Sequence, residues 1–555
     1  MSEIKDSKNT GWVSASSIAN VILNDHLVEW LKLYGEEKNP EIPPMLQFLF
    51  SQGCAFEEKL IDIIKAKIKV VHITSRYRKE VVVRTINEMK KGTPIIWSAP
   101  IYSTQLEIHG LADILIRSDY INKLVPNTIT SEQESLGCKL HEKFHYLVID
   151  IKFSTLPLRA NGINILNQDR YKAYKAQVWM YNQMIGEIQG YTPHIAYIMG
   201  RGYTYTSCGN VYKGNSAFEK LGEVNYQEVD IDIPNITRES IKWIRSLRQE
   251  GKNWTMKDHP ELYPNMKVDG LFMDKKRSIA YEIGEITQLW NCGVEHREIA
   301  ISNGILSWKD NRFTPDLIGF KNQRADILEK ILYVNRQEDT PFFPFKMKRM
   351  NPFIKKMNQE FFVDFEVISG AFDNFSKLPQ SCPVNIIFMI SVAWVTGPEE
   401  RKESVTFCVN ELTLKEESRI MKEFLDLVGN ESELYHWGDA EPIQWTAAIN
   451  RHNQSKDELK DRWTDLLYIF KEEPVTIKGC FSYSLKEVSK ALTILGLVEE
   501  CWNCDTSKGD EAMLKAYQEF NKSSKNSSVI QDISSYNVSD CFAIYGILKF
   551  LRNLL

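Results

Sequence analysis

The sequence predicts an α/β protein assembled from several units, and three observations carry that prediction. At 555 residues the chain is longer than one hydrophobic core organises; at roughly 100–200 residues per domain it suggests about three or four units. Short strand-like runs rich in Ile, Val and Leu alternate with segments whose apolar residues recur every three to four positions. Acidic residues also interrupt the apolar runs in two separate places, Asp113 and Asp150 in the first half and Asp364 and Glu366 in the second.

In chain order, Ile18, Ile22, Leu27, Trp30 and Leu31 are spaced for a helix over 14–34, and residues 56–69 for another. Residues 106–117 and 146–153 read as strands, with a polar surface loop from Pro126 to Ser135 between them. A helix over 170–187 and a strand over Tyr191–Met199 complete an α/β unit, residues 1–215. Residues 216–345 lack a strong strand pattern and read as a helical connector. It has helices around Ile241–Leu247 and Ile327–Leu332, and a third that stops at Gly304. Pro341-Phe-Phe-Pro344 marks the next boundary. Residues 346–555 begin with strands at 360–368, 384–395 and 404–410. Helices near 414–428, 456–471 and 540–553 follow, a second α/β unit. Asn521–Ser528 reads as a mobile loop.

Composition narrows the function classes. Hydrophobic residues make up 43% and charged residues 25%, ordinary for a soluble globular protein. A net charge of −5 excludes a histone-like binder but not a nuclease, because metal-site carboxylates offset basic grooves. The ten cysteines are scattered and suggest no disulfide framework, and Met1-Ser-Glu-Ile-Lys-Asp6 lacks an apolar secretory core. The apolar run Val384–Val395 is too short and interrupted to span a bilayer. The expectation is a soluble intracellular protein, cytoplasmic or nucleoid/nuclear, with no membrane partner.

Asp113 and Asp150 each lie on an apolar run, where a carboxylate is costly unless it meets a metal or a cation. Lys152 follows Asp150 by two residues, so both side chains share one strand face. Metal-binding carboxylates beside an ammonium suit phosphodiester hydrolysis, in which negative charge builds up at phosphorus. Gln177 and Tyr181, four apart on one helix face, can hold the lysine or a phosphate. Taken singly, Asp113, Asp150 and Lys152 are better read as a buried ion pair in an ordinary sheet; the ordered set carries the functional reading.

That set, Gly110-Leu-Ala-Asp113, Asp150-Ile-Lys152 and Gln177-Val-Trp-Met-Tyr181, resembles the RecB-like nucleases of the PD-(D/E)XK superfamily over roughly residues 12–200. Gly53-Cys-Ala-Phe-Glu57 fits the upstream motif, which implies Glu57 as a further metal ligand, and Ser14–Asn20 is similar to the family's opening helix. The resemblance implies a restriction-endonuclease-like fold acting on DNA. Many relatives hold an iron–sulfur cluster on four cysteines; here only Cys208 follows the last motif at short range, so no cluster is expected.

Asp364 and Glu366 alternate with Phe362, Val363 and Phe365 and so point to one side, where they can bridge two metals. Together with Tyr536 and Asp540, four apart near the end of the chain, they resemble the tyrosine subtype of DEDD 3′–5′ exonucleases, with an RNase H-like fold over roughly 358–553. The resemblance implies Tyr536 as the residue that places the attacking water. It assigns Glu441 as the intervening ligand, with Asp439 as the alternative, and Asp465 as a supporting residue.

Lys346, Lys348, Arg349, Lys355 and Lys356 form a basic stretch suited to a phosphate backbone, with Phe345 and Phe353 for stacking; a solvated linker reads equally well. Cys501-Trp-Asn-Cys504 lacks a second pair and is not expected to bind zinc. The combined expectation is a nuclease with two centres that uses Mg2+ or Mn2+ on single-stranded or end-bearing DNA. RNA processing and a nucleic-acid-binding scaffold with an inactive centre are the alternatives. No G-x-x-x-x-G-K-[ST] occurs, so any helicase acts from another chain.

Overall fold

Continuous apolar runs, buried from both sides, build the sheet of the first unit, and helices with apolar stripes cover both of its faces. The computed structural model describes residues 11–36, 40–74, 76–168, 170–347, 359–380, 385–454, 457–499, 509–522 and 527–555. They form two compact units, residues 1–276 with 373–382, and residues 277–372 with 383–555. The residues expected as a connector thus divide between the two units, and a short segment from far downstream belongs to the first.

The first unit contains strands β1 (Val13–Ser14), β2 (Val70–His72), β3 (Ile95–Ser103), β4 (Ile108–Arg117), β5 (Tyr146–Ile151), β6 (Thr155–Pro157), β7 (Ile195–Met199), β8 (Gly202–Ser207), β9 (Asn210–Gly214) and β10 (Gly222–Asn225). The main sheet runs β10-β7-β5-β4-β3-β2, with β1 also pairing β4, while β6, β8 and β9 form a small separate sheet. Strand β4 is antiparallel to both of its neighbours, β3 and β5, and β7 is parallel to β5. The helix Pro44–Lys65 starts on a proline, which costs little where the first N–H has no helical partner. It buries Phe56, Leu60, Ile61 and Ile64 against Ile95, Ile114, Ile116 and Ile149. The helix Tyr171–Gln189 covers the other face with Ala176, Trp179, Met180 and Met184, and ends on Gly190 in a left-handed conformation (φ 67°).

Several sequence expectations change. Residues 14–34 hold two short helices, Ala19–Ile22 and His26–Tyr34, parted at Asn24 with φ 55°. The polar stretch before β5 includes the helix Ser131–Ser135, closed by a reciprocal capping box between Thr130 and Gln133. The α/β unit does not stop near 215, because β10 pairs β7 and the helix Ile233–Glu250 sends Ile233, Ile241 and Ile244 into the same core. Strand β3 escaped the sequence reading because Ser98 and Pro100 interrupt it.

The second unit holds β11 (Phe342–Phe343), β12 (Glu360–Ile368), β13 (Ile386–Thr396), β14 (Arg401–Cys408), β15 (Glu433–His436), β16 (Trp463–Asp465) and β17 (Thr476–Ile477). Its five-stranded sheet has the order β14-β13-β12-β15-β16. The first three strands in sequence make an antiparallel meander, and β15 and β16 add in parallel on the other side of β12. The helix expected over 456–471 is divided, Trp463–Asp465 being strand and Leu466–Glu472 helix. The last helix starts earlier than expected and spans Ser527–Asn553. Ile286, Leu289, Phe313, Ile327 and Leu328 share one core with Leu466, Ile469, Tyr545 and Leu548, so residues read as connector belong to this unit's interior. Among the described residues no helix is long and apolar enough to cross a membrane.

A buried cation pins the first unit together. Lys175 Nζ, on the Tyr171–Gln189 helix, donates to Asp230 Oδ1 at 2.6 Å, to the Ile165 carbonyl at 2.6 Å and to Asn167 Oδ1 at 2.7 Å. Both members of the ion pair are fully buried. Lys175→Met leaves Asp230 without its cation and is expected to destabilise the first unit by about 3–5 kcal/mol, measured by denaturant unfolding. A change below about 1 kcal/mol assigns the pair no more weight than a surface ion pair.

Candidate functional site

Two acidic centres are present, one in each unit. In the first, the sheet distorts where Asp113 sits. Register pairs run from Ile95↔Ile116 to Trp97↔Ile114 and resume at Ala99↔Ala112, skipping the opposed Ser98 and Asp113. Ser98 has φ 49°. Ala112 faces one core and Ile114 the other, so the alternation changes face at Asp113. Its Oδ2 accepts the Ile151 N–H at 2.7 Å, which fixes the carboxylate to the end of β5.

Asp150, on β5, is fully buried, and Lys152 Nζ stands 2.7 Å from its Oδ2. Asp150 Oδ1 is buried and has no hydrogen-bond partner among the described residues. Lys152 Nζ also donates to Gln177 Oε1 at 3.3 Å, and Gln177 Nε2 donates to the Tyr181 hydroxyl at 2.9 Å. Gly110 allows this packing, since a Cβ there would come within 2.5 Å of Tyr181 Cε1. Glu57 Oε1 accepts from Trp97 Nε1 at 2.7 Å. Gly53 is different: a Cβ there would meet nothing within 4 Å, so packing does not require this motif glycine.

The charges of this centre act on one another. Burial, and then the Asp150 carboxylate, push the Asp113 carboxyl well above its usual range. Burial raises Glu57, with Asp150 adding to the shift. Burial alone would lower Lys152, but Asp150 and Asp113 more than offset it and hold the ammonium above its ordinary value. Burial and the same two acids raise the Tyr181 phenol. The structure therefore brings together all six residues singled out in the first unit: Glu57, Asp113, Asp150, Lys152, Gln177 and Tyr181.

In the second unit, Phe361, Val363 and Phe365 of β12 are apolar anchors, with Phe365 packed on Phe424 and Trp445. Asp364 and Glu366 alternate with them. Asn537 Nδ2, on the last helix, donates to Asp364 Oδ2. Burial pushes the Asp364 carboxyl well above its usual range, and Asp540, Glu441 and Glu366 add to the shift, with a hydrogen bond to Glu441. Glu366, Glu441 and Asp540 are all buried. Of the two alternatives at the intervening position, Glu441 is buried in this cluster and Asp439 is exposed. Tyr536 lies one turn before Asp540 and hydrogen-bonds to it; burial, and then Asp540, raise its phenol far above the ordinary value.

Three residues support this centre that the sequence did not single out as site residues or gave only a general role. Asp465 Oδ1 accepts from Leu467 N and Gly438 N, each at 2.8 Å, which caps its own helix and fixes the turn before Glu441. Asn537, fully buried, was legible only as the neighbour of Tyr536. Lys486 Nζ lies 4.5 Å from the centre of the Tyr536 ring. In the first unit, Trp97, on the missed strand β3, and Tyr174, whose ring is 4.9 Å from Lys152 Nζ, are the corresponding omissions.

Lys346 is exposed, as is Phe345. Lys348, Arg349, Phe353, Lys355, Lys356, Cys501 and Cys504 lie outside the described residues. Among the described residues, no group of three or more His, Cys, Asp and Glu side chains is placed to hold a metal ion as it stands. The donor chemistry nevertheless fits a hard divalent cation: an unpartnered buried carboxylate oxygen at Asp150, and carboxyl groups crowded around Asp364.

Residues 381–552 match the family model of the RNase_H superfamily. The match takes in β13 to β16, Glu441, Tyr536 and Asp540, and begins downstream of Asp364 and Glu366. No curated protein matches the chain. The RNase H-like region points to a nuclease or another nucleic-acid-related function, and to a hydrolase.

The crowded carboxyls make a pH prediction. With its pKa raised on folding, Asp364 keeps in the folded state a proton that the unfolded chain releases from about pH 4 upward. In chelator, stability of the second unit is therefore expected to fall as pH rises through the folded value. Asp364→Asn should flatten that fall, raising the midpoint of thermal unfolding at pH 8 more than at pH 5. A variant no more stable than wild type at pH 8 would show that like-charge repulsion at this position is negligible.

Proposed function

We propose that this chain is a metal-dependent nuclease with two hydrolytic centres, a RecB-like PD-(D/E)XK centre in the first unit and a DEDD-type 3′–5′ exonuclease centre in the RNase H-like region. The observation that carries the reading is the gathering of buried Glu366, Glu441 and Asp540 around half-buried Asp364, whose carboxyl also accepts from the Asn537 amide. In the first unit, Asp113 on β4 and Asp150 on β5, with Lys152 just past the end of β5 and Glu57 on the Pro44–Lys65 helix, support the other half.

Mg2+ or Mn2+ would be held by Asp364, Glu366, Glu441 and Asp540 in one centre and by Asp113, Asp150 and Glu57 in the other, supplying Lewis-acid activation of water and neutralisation at phosphate. The chain's own groups do the rest. Lys152, kept protonated by Asp150 and Asp113, puts a positive charge where negative charge grows on the phosphoryl oxygens. Gln177 steers that ammonium and is itself held by Tyr181. In the second centre Tyr536 stays protonated at neutral pH and orients the attacking water beside Asp540. Asn537 orients Asp364, and Asp465 fixes the turn that presents Glu441. DNA with a free end or a single-stranded segment is the proposed substrate, and any unwinding comes from a helicase on another chain.

The test uses matched end-labelled DNA and RNA single strands with Mg2+ or Mn2+. Lys152→Ala is expected to remove one product pattern. Asp364→Ala should remove the release of mononucleotides from 3′ ends. Each loss should be roughly 10²–10³-fold, the scale for removing one preorganised charge-stabilising group. Unaltered digestion by both variants refutes these assignments, and preference for the RNA strand moves the protein to RNA processing.

A further inference from the structure

The first unit includes a segment that the chain supplies far downstream, between β12 and β13. Residues 373–380 lie within that unit and are tied to it at several points. Gln52 Nε2 donates to the Asp373 carbonyl at 3.2 Å, and Ala217 N to the Pro379 carbonyl at 3.0 Å. Ser216 and Gln380 form an isolated antiparallel bridge. The segment shapes itself as well: Asp373 Oδ1 accepts the Phe375 N–H at 2.8 Å, and Phe375 has φ 59°.

This turn delivers one ring. Phe375 is only 8% exposed, with its centroid 5.9 Å from that of Phe56 and 5.4 Å from that of Phe153; Phe56 and Phe153 are 5.4 Å apart. The three rings close a triangle. Two of its corners are the chain neighbours of site residues, since Phe56 precedes Glu57 and Phe153 follows Lys152. Those two residues sit on elements far apart in sequence, a helix and the end of β5, and Phe375 is the third ring that packs on both of their apolar neighbours. Arg201 lies over Phe153 at 5.0 Å and feels the charge of Asp373, so the same segment also acts on the loop after β7.

From this geometry we infer that Phe375 is a positioning residue of the first centre, a strap residue that sets the spacing of Glu57 and Lys152 and thereby its affinity for a divalent cation. The inference rests on the proposed metal-binding role of that centre. It also means that the first nuclease is incomplete without a piece of chain encoded inside the second. Residues that support metal ligands typically change metal affinity by roughly 10–100-fold when replaced.

The experiment titrates metal-free full-length protein with Mn2+, followed by the electron paramagnetic resonance signal of the free ion. Every variant carries Asp540→Asn to weaken the second centre. The contribution of the first centre is defined as the binding lost on adding Asp150→Asn. Phe375→Ala is expected to weaken that contribution roughly tenfold or more. Phe375→Leu, which keeps an apolar side chain in the triangle, should fall between Phe375→Ala and the parent, and it carries the test if the alanine variant does not fold. Affinity equal to the parent in either folded variant overturns the strap's role while leaving the centre itself standing. A parent whose Mn2+ binding is indifferent to Asp150→Asn removes the centre, and the inference with it.

Discussion

Gathering carboxyl groups away from water is the constraint on which the rest of this molecule turns. Two like charges about 4 Å apart repel by about 4 kcal/mol at the effective dielectric found near protein surfaces, and burial adds the cost of lost hydration. Around Asp364 the chain accepts that cost repeatedly: Glu366 from the same strand, Glu441 from the start of a helix, and Asp540 from the last helix all press on it. The surrounding fold makes the arrangement hold. Aromatic residues alternate with the acids along β12, Asn537 hydrogen-bonds to the central carboxyl, and Asp465 fixes the turn before Glu441. A core built only for stability would not gather these groups. A proton relieves the repulsion in part, and a multivalent cation relieves it more fully.

The first centre meets the same constraint differently. Its acids have a cation within their own set, since Lys152 stands beside Asp150 and is held protonated by it and by Asp113. Among the described residues, one oxygen of Asp150 is still buried without a hydrogen-bond partner, so the lysine does not exhaust the demand for positive charge. The two centres thus divide their electrostatics in different ways. In the first, the protein carries part of the neutralising charge permanently. In the second, Asp364 meets the Asn537 amide and other carboxyls, and Lys486 lies over the Tyr536 ring. Metal removal should therefore disturb the electrostatics of the second centre more than those of the first.

What the sequence made legible follows from how local each signal is. Apolar strand runs such as β4, β5 and β12, and the helices that carry Tyr181 and Leu328, are local patterns and stand where the sequence places them. The convergence of Asp113 on Asp150, and of Asp364 on Asp540, was legible only through ordered motifs, because nothing local says which distant acids will meet. Strand β3 was lost to Ser98 and Pro100, although Pro100 sits in register with Leu111. Residues 216–345 read as a connector because helices carry no signal of which core they serve. Phe313 and Leu328 pack with Leu466 and Leu548, a fact set by tertiary contact alone.

The strap shows where a linear reading of domains must fail, and also what signal it leaves. Strands β12 and β13 are antiparallel neighbours, and such pairs are commonly joined by two to five residues. Here the first ends at Ile368 and the second begins at Ile386. A connection of that length in a hairpin carries a closure cost that rises only slowly with length, so it is tolerated without special reason, but its composition is informative. Amid Asp373, Asn374, Ser376, Lys377 and Gln380 stand two apolar residues, Phe375 and Leu378. Phe375 is buried and Leu378 packs against the same cluster, in a core whose other members come from the first 221 residues of the chain. Apolar side chains in an overlong hairpin loop need a core to enter, and the hairpin's own sheet already has its faces filled by Phe362 and Tyr545 on one side and by Phe365 and Trp445 on the other. The loop's burial elsewhere is therefore a consequence of its sequence, and only the identity of the receiving core had to come from the structure.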